Sequence, residues 1–386
     1  MISQKYFSLN HILIFLLSVI PFLHLKSQEI QNRDKTVSLL FIGDIMGHDS
    51  QITSAENPVT RTYNYDDVFT YIKPVISEAD VAIANLEVTL AGKPYMGYPQ
   101  FSSPVELAVA CQNAGIDYFV TANNHSADRG KKGIISTINK LDSVGIPHTG
   151  TYLNRASRDS LSPLMIRRNG ISMALLNYTY GTNGIRVHQP VIVDSLDKEL
   201  ISSDIKKAKT RNADVIILFL HWGTEYDTIP DKSQLSLAEY CLAEGADLII
   251  GSHPHVLQKM VWSKNPDTGK EGVIVYSLGN FVSNQRKPKT DGGSMVRIEL
   301  AKGENGIRII NAGYYLTWVY TPIENFKIKF FILPCSEFEM KTGYFNKVAD
   351  FDKMIQFISN SRELLNKQNI GIGEIIFKEG AWLQDN

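Results

Sequence analysis

Short runs of Val, Ile and Leu recur along this chain with stretches of helical period between them, a pattern that fits strands alternating with helices in an α/β protein. Residues 37–42, 81–84, 118–121, 215–220, 248–250 and 273–276 read as buried strands, joined by further strands at 164–167 and 171–177. Helices are expected over 103–113, where Ser and Pro suit a helix start and Gly115 a stop, and over 133–144, 197–209 and 235–244. Residues 294–300 read as an antiparallel partner strand. Past Lys302 the alternation loses its helices: 314–333 is β-rich and 351–365 has the period of an amphipathic helix. The resulting division is an α/β domain over 35–300 and a small C-terminal α+β extension over 301–386.

The N-terminus has a different character. One positive charge, Lys5, precedes an apolar run over 12–23, which is shorter than the roughly 20 residues that span a bilayer. Residues 1–27 therefore read as a secretory signal with cleavage after Ser27, although Leu25 at the −3 position is larger than signal cleavage prefers. The expectation is an exported protein, periplasmic or in the cell envelope, either freed by cleavage or tethered by an uncut N-terminal segment. With no cysteine near that run, a lipoprotein is not indicated. Charge matters for partners: 39 basic against 40 acidic side chains leave no basic footprint for nucleic acid. The three cysteines, Cys111, Cys241 and Cys335, show no CxxC spacing, so neither a disulfide framework nor a thiolate zinc site is expected.

The chemistry gathers where the strands end. Asp44, Glu87, Asn124, His125, His221, His253 and His255 each lie at or just beyond the C-terminal end of an apolar run. In open α/β sheets that edge is where ligands bind, because the loops there converge on one crevice. Carboxylates, imidazoles and an amide at one edge suit one or two divalent ions, with manganese, iron or zinc matching the donor types. His253-Pro254-His255 is the sharpest piece, placing two imidazoles on one tight turn. Singly these signals are weak, since an aspartate after a strand is more often a turn former or helix cap. Their recurrence at successive strand ends is what a structural account does not supply. Asn85, Glu225 and Asn280 stand beside these positions as candidates for substrate contact or for orienting the ligands. Arg129, Lys131 and Lys132 offer positive charge beside Asn124-His125.

Gly43-Asp44-Ile45-Met46, Ala84-Asn85-Leu86-Glu87, Ala122-Asn123-Asn124-His125 with Asp128 and Gly130, His221-Trp222-Gly223-Thr224-Glu225-Tyr226, Gly251-Ser252-His253-Pro254-His255 and Ser277-Leu278-Gly279-Asn280-Phe281 resemble, in order, the motifs of the CapA family of bacterial capsule and poly-γ-glutamate synthesis proteins. That resemblance spans about Lys35 to Leu300. It implies a four-layered α/β/β/α sandwich like that of calcineurin-like metallophosphoesterases, with a two-metal site. On the family's pattern Asp44 corresponds to the first metal-binding aspartate, and Glu87 or Asn85 sits where a bridging carboxylate is expected. Asn124, His221 and His253 correspond to ligands of the second metal, His255 to a ligand of the first, and His125 to the group that protonates the leaving oxygen. The sequence departs from the phosphoesterase pattern at Met46, where a histidine is expected and His48 is the nearest imidazole. The bridging aspartate is also replaced by an Asn-Leu-Glu segment. Two functions are consistent with the resemblance. One is a metal-dependent hydrolase acting on a phosphoester or a linkage of an anionic polymer. The other is a non-catalytic component of capsule assembly, partnered by membrane components, that holds the polymer in the same crevice.

Overall fold

The computed structural model describes residues 35–264, 269–304 and 306–384. The export signal expected over 1–27 lies outside the described residues. Strands run in chain order as β1 (Lys35–Ile45), β2 (Val81–Leu86), β3 (Tyr118–Val120), β4 (His148–Thr149), β5 (Leu164–Arg168), β6 (Ile171–Thr179), β7 (Val215–His221), β8 (Leu248–Ser252), β9 (Met260–Lys264), β10 (Glu271–Val275), β11 (Asn280–Val282), β12 (Gly292–Gly303), β13 (Gly306–Tyr320), β14 (Phe331–Pro334), β15 (Gly373–Lys378) and β16 (Ala381–Gln384). The main helices are α1 (Glu106–Asn113), α2 (Gly130–Ser143), α3 (Lys198–Thr210), α4 (Lys232–Glu244) and α5 (Val348–Gln368).

The strands form two large sheets. The first has ten strands in the order β16-β15-β13-β12-β1-β2-β3-β4, with β11 alongside β1 and β14 alongside β13. The second has six, in the order β9-β10-β8-β7-β6-β5. Within each, the central strands are parallel: β1 to β2, β2 to β3, β6 to β7 and β7 to β8.

Period-2 alternation sorts side chains between layers. Val37, Leu39 and Phe41 of β1, with Val81 and Ile83 of β2, face the second sheet and pack against Met173, Leu175, Ile217, Phe219 and Ile250. Their neighbours Leu40, Ile42, Ala82 and Ala84 face outward, onto Leu107 and Cys111 of α1 and Leu141 of α2. On the far side Leu176, Ile216, Leu218 and Ile249 meet Ile201 and Ile205 of α3 and Ala238 and Cys241 of α4. The result is a four-layered α/β/β/α sandwich. Strands covered on both faces must be apolar throughout, which is why 215–220 reads as an unbroken run. Each buried aliphatic side chain contributes about 1.5–3 kcal/mol, and the inter-sheet layer is the largest single cluster of them.

Helix ends obey local chemistry. Asp231 caps α4 by accepting from the backbone N–H of Ser233 and Gln234, and Gly245 at φ 117° ends it. The first helix starts at Glu106 rather than at Ser103, because the Ser103 hydroxyl makes no cap and its N–H is bound to the Thr89 carbonyl.

The extension beyond Leu300 is built into the first sheet. β12 runs through Leu300 to Gly303, and β13 pairs along its whole length. The amphipathic helix α5 inserts Met354, Phe357, Ile358 and Leu365 into the inter-sheet core. All three cysteines are buried and unpaired. Among the described residues no helix is long and apolar enough to cross a membrane.

Candidate metal centre

Parallel register brings the strand ends together. Asp44 lies level with Asn85 on β2 and with Asn280 on β11, and His221 at the end of β7 lies level with Ser252 on β8. The loops after these strands add Glu87, Asn124 and His125 from the first sheet, and His253 and His255 from the second. The tight strand ends depend on glycine at two points. A Cβ on Gly43 would stand 2.2 Å from the Gly279 carbonyl oxygen, and one on Gly251 would stand 2.0 Å from the Tyr276 oxygen.

Two fully buried sets of donors emerge among the described residues, Asp44/Glu87/His255 and Glu87/His221/His253, each with ligand atoms within 4.8 Å of one another. Glu87 belongs to both. Its Oε1 lies 3.7 Å from His221 Nε2 and 3.7 Å from His255 Nε2. Of the two positions, Glu87 is the one whose carboxylate belongs to both sets. Asn85 orients the carboxylates instead, its amide nitrogen donating to Asp44 Oδ1 at 2.8 Å and lying 3.3 Å from Glu87 Oε2. Asn124 Oδ1 is 2.9 Å from His221 Nε2, which places the amide beside the second set. Asn280 Oδ1 is 3.0 Å from His255 Nδ1 and so fixes that ring. Glu225 is exposed, and its carboxylate falls within the same 4.8 Å limit of His253 and His255. His48 belongs to neither set; its Nδ1 accepts from the backbone N–H of Asn284 at 3.1 Å.

Asn123 and Ser252, inside the sequence motifs, carry roles the local pattern does not reveal. Asn123 donates to Asn85 Oδ1 at 3.2 Å and to the Leu86 carbonyl at 2.8 Å, and Ser252 Oγ is 3.0 Å from His221 Nδ1. These are the outer contacts that fix a ligand's orientation and tautomer. Tyr180 also enters, its ring 4.6 Å from that of His253.

The electrostatics call for a cation. Burial and the charge of Asp44 raise the Glu87 carboxyl well above its ordinary range. Burial works against ionised Asp44 too, but the hydrogen bond and charge from His255 prevail and lower it. Burial and the neighbouring imidazoles push His221 well down and His253 down to about 3, so both rings are neutral, as ligands must be. Two buried polar atoms here, Glu87 Oε1 and His253 Nδ1, have no hydrogen-bond partner, a costly arrangement that metal coordination resolves. His253 and His255 also hold φ angles of 103° and 59°, left-handed values that side chains other than glycine adopt at a cost. With oxygen and imidazole donors and no thiolate, the residues fit divalent metal binding.

Beside this centre, His125 Nδ1 lies 2.7 Å from Asp128 Oδ2, which also accepts from the Phe101 N–H at 2.7 Å. That fixes the ring with Nδ1–H toward the carboxylate and leaves Nε2 to exchange a proton. Phe101 packs edge-on at 4.6 Å.

The family described as bacterial capsule synthesis protein PGA_cap matches residues 38–285. The chain is 29% identical over 289 residues to the capsule biosynthesis protein CapA of Bacillus anthracis, covering 72% of this chain and 67% of that protein. It is 28% identical over 283 residues to the PGA biosynthesis protein CapA of Bacillus subtilis, covering 71% and 70%. Among solved structures it is similar to a Haemophilus influenzae NAD nucleotidase (TM-score 0.48, 13% identity, 89% of this chain and 65% of that one). A 5'-nucleotidase from Candida albicans gives a TM-score of 0.41 at 10% identity, over 85% and 58%. The chain thus spans less than two thirds of either nucleotidase.

Proposed function

The chain belongs to the bacterial capsule synthesis protein PGA_cap family, and from that premise we propose that it is an exported, metal-dependent hydrolase that cuts a phosphoester or a polymer linkage during the synthesis of an anionic envelope polymer such as poly-γ-glutamate. The observation that carries this reading is the sharing of Glu87 between two buried carboxylate–imidazole sets, with a histidine–carboxylate pair beside them. A module that only held a polymer would have no use for His125 and Asp128.

Asp44, Glu87 and His255 would hold one ion, and Glu87, His221, His253 and Asn124 the other. Divalent ions held there supply Lewis acidity toward water and toward a phosphoryl or carbonyl oxygen. The residues do the rest. Asn85, Asn280 and Ser252 keep the donors aimed. His125 gives a proton from Nε2 to the departing oxygen of a phosphoester or nitrogen of an amide linkage, while Asp128 holds the ring and stabilises its charged form. Burial of the donor set keeps bulk water from competing.

The test is elemental mass spectrometry on the purified chain beside a His253→Ala/His255→Ala control, then hydrolysis of a phosphodiester probe. Near-stoichiometric manganese, iron or zinc that disappears in the control is expected. The His125→Ala variant should keep its metal and lose about 10² to 10⁴ in kcat. A chain that takes up no added metal, or whose hydrolysis ignores His125, would sink the hydrolase reading.

A further inference from the structure

We propose that Lys287 selects the substrate, holding a second anionic group of an acidic chain while the first is engaged at the metal centre; this rests on the hydrolase function proposed for that centre. The lysine comes after β11 on a short exposed segment that Asn280 helps to anchor. Asn280 Nδ2 donates to Gln285 Oε1 at 3.0 Å and to the Thr290 carbonyl at 2.8 Å, while its Oδ1 faces His255. Thr290 in turn donates to the Lys287 carbonyl from its backbone N–H and its hydroxyl, at 3.1 and 2.9 Å. The residue that fixes the His255 ring therefore also helps to set the backbone at Lys287.

The ammonium is placed as well. Lys287 Nζ sits 3.9 Å from the centre of the Tyr226 ring, and that ring is 6.3 Å from the His255 ring. Tyr226 is pinned to the metal-binding turn by its N–H, which donates to the Pro254 carbonyl at 2.8 Å. The charge thus stands within about 10 Å of His255, the most those two ring distances allow. Seated on an aromatic face, an ammonium keeps N–H donors for an anion. Among the described residues no carboxylate pairs with it.

Two other cations near the site are already engaged. Arg129 and Lys131 are tied to the carbonyls of Pro94 and Gln189 at 2.9 and 3.0 Å. Glu225, exposed beside Tyr226, repels an anion unless cations fill the centre. Over a separation of up to about 10 Å, a chain with repeated charges can present one group to the centre and a second to Lys287. Recognition of such a chain should therefore depend on metal.

Calorimetric titration of the chain, loaded with manganese or stripped of it, with oligo-γ-glutamate and separately with inorganic polyphosphate tests this. The two titrations decide between carboxylate and phosphate as the second group. The expected result is binding of one polyanion by the loaded protein only, weakened about fivefold in Lys287→Gln, the scale of one exposed ion pair. Lys287→Arg should stay within about twofold of wild type on the same scale. Hydrolysis of bis(4-nitrophenyl) phosphate, which carries one charge, should keep its kcat and KM in both variants. Unchanged polyanion affinity in Lys287→Gln, equal loss with the singly charged probe, or binding of neither polyanion by a wild-type protein that still hydrolyses the probe would each overturn the assignment. In that last case the hydrolase reading survives. Metal-dependent polyanion binding through Lys287 without any hydrolysis would instead reject the hydrolase reading.

Discussion

Glu87 shows how one side chain can serve opposite states. Without a cation its carboxyl is raised well above the ordinary range by burial and by Asp44, which favours its neutral form. Glu87→Gln imitates that neutral form. We expect the variant to lose metal from both sets, as read by elemental analysis, while the melting temperature of the metal-free protein stays the same or rises. A marked fall in that temperature would show that ionised Glu87 supports the fold. His48 supplies a second expectation at this scale. Burial lowers it to about 4 from an ordinary 6.5, so between those values the unfolded chain binds more protons than the folded one. Stability of the metal-free protein should therefore fall as pH drops from 6.5 toward 4, and His48→Gln should flatten that part of the curve in denaturant titrations. The donors themselves are legible in the sequence because each ends an apolar run. Asn123, Ser252 and Tyr180 are not, because their value lies in the register between strands distant in sequence, which no local pattern encodes. Lys287 is hidden for the same reason: only the fold lays it on Tyr226.

Among elements, the contact of β1 with β11 is the most demanding. The two backbones run so close that the Asp44 N–H donates to the Gly279 carbonyl at 3.1 Å. A methyl group at Gly43 would collide with that same oxygen. Gly43→Ala should cost more than about 2 kcal/mol and weaken metal binding together with stability, since Asp44 and Asn280 are level across this pair. Chemical denaturation with parallel metal titration checks it; a loss of stability at unchanged affinity would mean the strand ends move independently. Strands such as β7 are easy to foresee, being apolar on both faces. The C-terminal elements are harder. Nothing in residues 301–386 tells that β13 continues the first sheet, or that α5 enters the same core as β1, because those pairings are settled by what the first sheet leaves uncovered. Buried charge is also invisible: Arg158, bonded to Asp194 and Asp204 in the interior, reads in sequence as an ordinary surface arginine.

For the molecule as a whole, the centre joins the two sheets. Asp44, Glu87 and Asn124 come from the first, His221, His253 and His255 from the second, so a bound ion is a tie across the sandwich. Stripping metal with a chelator should lower the melting temperature, and restoring it at about 100 times its dissociation constant should return about 2.7 kcal/mol. A melting curve indifferent to metal would mean that the inter-sheet core alone fixes the spacing. The tie also has a history within each molecule. Asp44 and His255, whose side chains meet at 3.1 Å, are 211 positions apart in the chain. A growing polypeptide holds no complete donor set until His253 has been made, nor both sets until His255 follows and the second sheet has closed on the first. An ion bound at this centre would therefore be chosen by the compartment in which folding finishes, and if the chain is exported as proposed, that is the metal supply outside the membrane.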